Sequence, residues 1–402
     1  MPEETVLVVP ALSLTGEAPD LFARRARLVL PDFAIGDDNA ATVVEICRRL
    51  DGNPLAIELA AARLRTFSLT EICDALAGRH RALPGTVDWS HALLTEPERV
   101  LLRRLGVFVG GFDGDAARSV TGGDDLGPHQ VPDLLSLLVG KSLVIADDSR
   151  GPTRYRLPDA LREYALEKLD ASGESDAVRD RHRDHYRAIT AVVDVPTHDN
   201  REQRIERAVA EMGNIRAAFT WSIEAGDTGR ALAIASSLPP VWLADGRMRE
   251  GLSWFDEAGG MPGAVPPAVQ ARALADRAVL SARAAVPCGQ DAHRALDIAR
   301  RLGDRALELR ALTACGVVDA SSATAPPWDM SEAATLAREL GDRWRLSQIL
   351  ALQQCAAQVA GDLAAVIRTG DEGLALATEV GDRFVARTCR LGRGSPTCCR
   401  AL

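Results

Sequence analysis

Lysine is almost absent from this 402-residue chain, and aromatic residues are scarce. Only Lys141 and Lys168 are lysines, so nearly all of the 47 basic residues are arginines, a usage typical of a GC-rich genome. Phe, Trp and Tyr make up 4% of the sequence, whereas Ala, Leu and Arg are abundant, which favours helices over sheets. We therefore expect a mainly α-helical protein.

The sequence has no excess of positive charge and no long apolar run. Its net charge of −9 gives no general attraction to nucleic acids or anionic membranes. No stretch approaches the roughly 18 uncharged residues of a membrane-spanning helix. The acidic start, Met1–Glu4, precedes no apolar core of a signal peptide. These absences predict a cytoplasmic chain with no direct nucleic-acid partner and no membrane partner.

Motifs for metal binding and catalysis are missing as well. The eight cysteines include no CxxC pair, so we expect reduced thiols. His182 and His185 could form half of a zinc site, but the sequence offers no further ligands near them. We therefore expect them to lie on a solvated helix face. Neither a G-x-S-x-G nucleophile motif nor a G-x-x-x-x-G-K-S/T phosphate loop occurs. The sequence predicts no metal site and no enzyme activity.

The first 86 residues contain a short apolar segment followed by helix signals. Residues 1–12 include TVLVVP and are interpreted as an orphan strand, whose exposed edge would lower solubility. Residues 13–86 show amphipathic helix patterns. Gly52 ends one helix, Pro54 lies in the first turn of the next, and Ser68–Glu71 forms a capping box. We expect a small helical domain here.

Residues 87–170 have the order of elements of a winged helix. A capping box at Thr95–Glu98 starts the first helix. Two short helices, two strands around an Asp-, Gly- and Pro-rich turn, and a closing helix are then expected. Their approximate ranges are 113–120, 131–139, 142–146, 154–157 and 159–169.

The rest of the chain is helical and repetitive. Residues 171–265 open with the linker-like ASGESDA and are interpreted as the start of a repeat region. An apolar residue followed by Gly-Asp-Arg recurs at Leu302–Arg305, Leu340–Arg343 and Val380–Arg383, at spacings of 38 and 40 residues. Glycine can end one helix and aspartate can cap the next. This predicts a tetratricopeptide-like α-solenoid over 266–390, with an irregular tail at 391–402.

Several segments together resemble the signal transduction ATPases with numerous domains (STAND proteins), in particular the actinobacterial NB-ARC-type regulators of the LuxR and AfsR type. The resemblance covers roughly residues 4–390. The matching segments are Glu45–Arg63, Val87–Ser90, Leu93–Arg99, Arg104–Phe112, Lys141–Val144, Arg154–Leu157 and Leu161–Ala165, together with Glu211, Asn214–Ala218 and Trp221.

The resemblance implies the order P-loop sheet domain, helical lid, winged helix and helical-repeat sensor, often with a C-terminal helix-turn-helix. It also implies that Gly52, Pro54 and Leu55 form a turn against adenine. The alternative interpretation is that the turn is an ordinary helix boundary formed by Gly and Pro, without a ligand. Because the phosphate loop and the C-terminal helix-turn-helix are not found, we expect a truncated or degenerate member. The turn would then be vestigial, and ADP or ATP not retained.

Two further positions argue against an active switch or DNA contact. Where related switches often place a phosphate-sensing histidine, this chain has Pro158, which offers no donor. The helix before the wing, VPDLLSLLVG, offers few groups that could read bases, and the wing carries Asp147 and Asp148. We expect this apolar helix to pack on a neighbouring domain.

Three functions remain open from the sequence. The leading one is a non-catalytic fragment of a STAND-type regulator that binds a protein or small-molecule signal through its helical repeats. The alternative is an ADP- or ATP-binding switch that takes its phosphate contacts from another chain. The third is a DNA-binding transcription factor. The signal and the oligomeric state cannot be read from the residues.

Overall fold

The structure, a computed structural model, confirms the mainly helical fold. It divides into two compact units, residues 1–182 and 183–402. The residues it describes are 12–14, 16–50, 52–77, 91–92, 94–149, 151–195, 201–261, 263–287, 289–321 and 330–392. Most of the expected orphan strand and of the expected tail, and the Val87–Ser90 segment, therefore lie outside the described residues.

The first unit begins with four helices around an apolar core. They are α1 (Glu17–Val29), α2 (Ala40–Arg49), α3 (Pro54–Ala62) and α4 (Leu69–Ala77), with a 3-10 turn at Arg63–Arg65 after α3. Phe22, Ile46, Ile57 and Ile72 bring one fully buried side chain from each helix into this core. The capping box at the start of α4 forms as expected, since Ser68 N donates to Glu71 Oε2 at 2.8 Å.

The winged helix follows in the same unit, with the element order that the sequence predicts and one additional strand. Its elements are α5 (Glu96–Leu105), β1 (Phe112–Asp113), α6 (Gly114–Thr121), α7 (Val131–Gly140), β2 (Ile145–Asp147), β3 (Arg154–Arg156) and α8 (Asp159–Ser172). The sheet is antiparallel in the order β1-β3-β2. The sequence analysis expected no strand at β1, because two residues are too few to show an alternating pattern.

A buried carboxylate joins α5 to the end of α7. Glu98 is 1% exposed, and its Oε2 accepts hydrogen bonds from Thr95 N at 2.8 Å and from Thr95 Oγ1 at 3.0 Å. Lys141, one of the two lysines, forms an ion pair with the same carboxylate. Burial would raise the pKa of Glu98, but the Lys141 and Thr95 hydrogen bonds outweigh it and the pKa is lowered.

The segment expected as a linker is mostly helical. Helix α8 ends at Ser172, Gly173 adopts φ +75°, and the next helix begins at Ser175. Glu174 in this turn binds Arg103 and Arg104 of α5. A residue with positive φ can end one helix and allow another to follow at once.

The helices beyond this turn form a repeat array. They are α9 (Ser175–Ala191), α10 (Arg201–Ala210), α11 (Met212–Glu224), α12 (Thr228–Ala235), α13 (Pro239–Asp245), α14 (Met248–Gly259), α15 (Pro267–Arg283), α16 (Asp291–Leu302), α17 (Arg305–Ser321), α18 (Ser331–Leu340), α19 (Arg343–Ala360), α20 (Leu363–Glu379) and α21 (Arg383–Leu391). In the second unit, α15, α17, α19 and α21 pack side by side as one layer, and α16, α18 and α20 pack against it as a second.

Glycine-aspartate pairs connect successive helices of the array, as the motif predicts. The glycines all have φ between +67° and +75°, and each following aspartate accepts a hydrogen bond from a backbone N–H three residues on, at 2.9–3.0 Å. There are five such pairs in the described part of the chain: Gly226-Asp227, Gly303-Asp304, Gly341-Asp342, Gly361-Asp362 and Gly381-Asp382. The sequence motif had identified three of them.

Aromatic rings fill the core near α14. Trp254 stacks on Phe219 with 4.3 Å between ring centroids and meets the edge of Trp242 at 5.5 Å. Gly251, one turn before Trp254, lets Trp242 approach the α14 backbone. A Cβ at position 251 would lie 2.5 Å from Trp242 Cε3 and 2.8 Å from Leu280 Cδ1.

We predict that Gly251→Ala destabilises the protein by about 1–3 kcal/mol, because overpacking a rigid core outweighs the better helix propensity of alanine. The measurement is the urea midpoint of unfolding followed by circular dichroism. Gly259→Ala, in the same helix, is the matched control, since a Cβ there meets no atom within 4 Å. Equal midpoints for the two variants would contradict the prediction.

Candidate functional site

The turn that resembles an adenine contact has the geometry of a helix junction. Gly52 is buried with φ +66°, and its carbonyl accepts a hydrogen bond from Leu12 N at 3.0 Å. Asn53 caps α3, with its Oδ1 accepting from Ala56 N at 3.0 Å. Pro54 is exposed at the first position of α3, whereas the side chain of Leu55 lies outside the described part. The turn itself therefore needs no ligand for its shape.

This turn fits an adenine only in part. The exposed ring of Pro54 offers an apolar edge, but residues 51–58 (DGNPLAIE) include no lysine or arginine that could hold a phosphate. At the other expected contact point, Pro158 is the residue before α8 and has no N–H to donate. These residues therefore support no nucleotide-dependent step.

The winged helix exposes one face of α7 and one face of β3. The exposed residues of α7 are Pro132, Asp133, Ser136 and Leu137. In β3, Tyr155 stacks on Phe112 with 6.0 Å between centroids. Since successive strand residues point to opposite faces, Arg154 and Arg156 project from the other side of the sheet.

His182 is buried, so the expected solvated face was wrong for this residue. It is 3% exposed, and its ring lies 5.4 Å from that of Phe108 in an edge-on contact. Three or more His, Cys, Asp or Glu side chains placed to hold a metal ion do not occur among the described residues.

The second unit contains a cavity of about 1350 Å³. Its lining residues come from α15, α17, α19 and the start of α21, and from α10 and α13. Most of its wall is apolar; typical members are Ile205, Val209, Leu243, Val279, Val317 and Phe384. The helical layer of the repeats thus encloses a space that has both apolar and charged walls.

A buried ionic cluster forms the charged wall. Arg310 on α17 donates from Nε to Asp276 Oδ1 at 2.7 Å and from Nη1 to Asp194 Oδ2. Arg272 also reaches Asp194 Oδ2, at 3.1 Å from its Nη2. Arg345 lies 3.9 Å from the other oxygen of Asp194. One carboxylate after α9 therefore binds arginines from three helices of the repeat layer, α15, α17 and α19.

The pKa values in this cluster follow from burial and from the neighbouring charges. Burial would raise the pKa of Asp194, but Arg310, Arg345 and Arg272 lower it. The pKa of Asp276 is raised, chiefly by burial, and its Oδ2 has no hydrogen-bond partner among the described residues. Two carboxylates raise the pKa of Arg310 despite its burial. Arg310 therefore stays charged in the interior.

Two other arginines of the cavity rest on aromatic rings. The Arg201 guanidinium lies 3.9 Å from the centroid of Trp344, and that of Arg283 lies 5.6 Å from the centroid of Phe384. Burial is the largest cause that lowers the pKa of each. Within the described ranges neither makes an ion pair with a carboxylate at 4.0 Å or less.

The sequence analysis missed this cavity and its charged residues. A signal was present, because Arg310 lies on the same helical stripe as Ala314 and Val317, which are buried. A charged residue inside an apolar stripe indicates a buried pair, but its partners Asp194 and Asp276 lie far away in the sequence. Only the packing of the helices brings them together.

The comparisons with known proteins agree with this architecture. Residues 94–170 match the family model described as a winged helix-turn-helix domain. A candidate HTH-type transcriptional regulator of Mycobacterium tuberculosis is 48% identical over 407 residues, covering 95% of this chain and 46% of that protein. The regulatory protein AfsR of Streptomyces griseus is 33% identical over 164 residues, covering 37% of this chain and 16% of AfsR. The chain thus spans about half the length of the mycobacterial relative.

A solved structure supports the fold. The crystal structure of a STAND protein with a tetratricopeptide repeat sensor from Pyrococcus horikoshii aligns with a TM-score of 0.53 at 14% identity. The alignment covers 93% of this chain and 56% of that chain. This likeness shows the fold, and the regulator relatives support a regulatory role. No helix in the described part of the chain is long and apolar enough to cross a membrane.

The prediction that the chain has no nucleic-acid partner was wrong. The winged helix-turn-helix match and the HTH-type relatives contradict it, because both point to DNA binding. The net charge of −9 describes the whole chain, whereas DNA contact depends on local groups. The sequence argument weighed α7 and the tip of the wing and left out the arginines of β3.

We predict that Arg310→Leu costs about 3–5 kcal/mol of unfolding free energy, because it leaves Asp194 and Asp276 buried with one counter-ion fewer. Chemical denaturation of the full chain measures this cost. Arg300→Leu is the control. Arg300 pairs with Glu308 and Glu332 at 2.9 and 2.6 Å but is 46% exposed, so its loss costs under about 1 kcal/mol. A small effect at position 310 would show that the cluster is not structural.

Proposed function

We propose that this chain is the sensing and DNA-contacting part of a transcriptional regulator of the NB-ARC, LuxR and AfsR type. In this proposal the helical-repeat unit binds a small-molecule signal, and the winged helix contacts DNA. The observation that carries the proposal is the cavity of about 1350 Å³ in the repeat unit. The similarity to AfsR and to an HTH-type regulator supports the assignment to this type.

The shape and wall of the cavity favour a small molecule over a docked protein segment. Small-molecule sites are concave and mostly apolar, with a few polar groups that fix orientation. Here residues of α10 and α13 line the cavity together with the repeat layer, and the charged side chains among the lining residues supply the polar groups. A partner helix remains the alternative occupant, because solenoids often bind peptides on their concave faces.

Strand β3 is the observation that favours DNA contact by the winged helix. Arg154 and Arg156 project from the same face of the wing, and Arg156 is exposed. Arginine side chains on a wing can hold phosphates, while the helix before the wing enters a groove. Since α7 exposes Asp133 and Ser136 but no cation, we propose contacts dominated by the phosphate backbone.

We further propose that the chain has no ATPase activity of its own. Its sequence has no phosphate loop, and the Gly52–Asn53 turn carries no cation. The competing hypothesis is a switch that binds ADP or ATP with phosphate contacts from another polypeptide. Calorimetry with ADP and ATP separates the two, since micromolar binding by this chain alone would support the switch.

The cavity predicts binding of a neutral, apolar probe. Nile red should bind the wild-type chain, and Val209→Trp should weaken binding at least tenfold, because Val209 lines the cavity and an indole would fill part of it. Val209 is 38% exposed, so the larger side chain does not disturb the core. The measurement is a fluorescence titration.

Val359→Trp serves as the matched control for this titration. Val359 is 74% exposed on α19 and does not line the cavity. We expect its Nile red affinity to equal that of the wild type. If both tryptophan variants bind the dye as the wild type does, the dye occupies another surface and the sensor proposal fails.

The wing predicts a charge-dependent affinity for DNA. Arg156→Glu should weaken binding of a 25-base-pair duplex several-fold at low salt and reduce the salt dependence by about one phosphate contact. Fluorescence anisotropy at several salt concentrations measures both. Arg24→Glu, an equal charge change at an exposed position of α1, is the control. Equal losses for the two variants would mean that only net charge matters and would reject the wing as the contact.

A further inference from the structure

We propose that the occupant of the repeat cavity is an amphipathic anion, with an apolar body and one carboxylate or phosphate group held by Arg201 and Arg283. This inference rests on the proposed sensor function and adds the chemical class of the signal. It follows from the two kinds of charge that line the cavity. The charges of one set form ion pairs within the protein, whereas Arg201 and Arg283 have no carboxylate within 4.0 Å in the described part of the chain.

The charges of the deep ionic cluster are offset within the protein, although Asp276 Oδ2 has no hydrogen-bond partner among the described residues. Asp194 is bound by Arg310 and Arg272, and Arg310 also binds Asp276, so cations and carboxylates offset one another there. Nearer the start of α21, Arg383 pairs with Glu202 at 2.9 Å. These contacts leave Arg201 and Arg283 as the arginines of the wall that have no carboxylate at ion-pair distance in the described part of the chain.

Arg201 is placed to receive an anionic group. It is 8% exposed at the first position of α10, and its guanidinium stacks on the Trp344 ring. Its Nη1 is buried and has no hydrogen-bond partner among the residues described. A buried donor without a partner costs free energy, and an anionic acceptor in the cavity would remove that cost.

Arg283 lies over the second ring of the same region. It is the last residue of α15, and its guanidinium faces Phe384 near the start of α21. The two rings belong to one local framework, since Trp344 Nε1 donates to Asp382 Oδ2 at 2.9 Å and Asp382 caps the helix that carries Phe384. An aromatic face leaves the donors at the edge of a guanidinium free to bind a carboxylate or phosphate.

The other lining residues of the cavity determine the polarity of the ligand outside its anionic group. Val209 and Ile205 of α10 face the cavity, as do Val279 of α15 and Val317 of α17. Such a wall favours an apolar body, which gains from leaving water. A purely polar anion would lack this contribution, and a cationic group placed beside Arg201 and Arg283 would be repelled by them. The combination therefore selects an apolar compound with a negative group.

Competition against Nile red with four ten-carbon probes tests the inference. They are decanoate, decyl phosphate, decanol and decylammonium, used below the concentrations at which they form micelles. We expect one or both anions to compete at least tenfold better than decanol and decylammonium. Comparing decanoate with decyl phosphate shows which anionic group the site prefers.

Arginine variants locate the anion. Arg201→Met and Arg283→Met should each reduce the advantage of the preferred anion over decanol roughly tenfold and leave decanol itself unchanged, because methionine keeps an apolar stem over the ring. Arg207→Met, at an exposed position of α10, is the control and should leave the advantage unchanged. An advantage that survives both variants would overturn the assignment of these two arginines.

The outcomes separate this inference from the proposed function. If decanol competes as well as the anions, the cavity is a sensor site without charge selection, and the inference is overturned while the function stands. If no probe displaces the dye and Val209→Trp has no effect, the sensor function itself fails. Preferred binding of decylammonium would likewise overturn the inference.

Discussion

The repeat unit depends on the need to neutralise charges that its packing has buried. The buried guanidinium of Arg310 needs hydrogen-bond acceptors inside the layer, and it finds them in Asp276 on the neighbouring helix and in Asp194, between α9 and α10. Each of these carboxylates would be costly alone. The contact therefore fixes three segments of the chain together, and the wall of the cavity is held where these helices meet.

The same requirement distinguishes structural charges from charges available to a ligand. Arg310 is satisfied by the protein, and its carboxylates hold it in one geometry. Arg201 rests on Trp344 and keeps a buried donor without a partner in the described part of the chain. An ionic cluster whose charges are offset within the protein, beside an arginine with an unpartnered buried donor, is consistent with the binding site that we propose.

Local sequence patterns predicted most of the helices and their junctions, but they could not predict contacts between residues far apart in the sequence. The glycine-aspartate motif identified the helix junctions, because both the turn and the cap form within a few residues. The capping box at Thr95 and the two strands of the wing were found for the same reason. The pairing of Asp194 with Arg310 joins residues more than a hundred positions apart, and strand β1 exists only through its bonds to β3.

The candidate site was harder to predict than the fold. A resemblance directed attention to Gly52 and Pro54, where the structure has a capped helix junction. Composition also misled, since a net negative charge hid the exposed Arg156 on the wing. Both errors have one cause. Neither the net charge of the chain nor a resemblance to a family tells which side chains lie together at a particular surface.

The glycine-aspartate junctions have a consequence for how such an array can change in length. The turn and the cap at each junction form locally, since the glycine φ and the hydrogen bond that Asp342 or Asp382 accepts from the backbone N–H three residues on lie within the junction. A duplicated helix pair would bring its own turn and its own cap. The number of repeats can thus vary during evolution without redesign of the neighbouring units, and the cavity can widen or narrow one helix pair at a time.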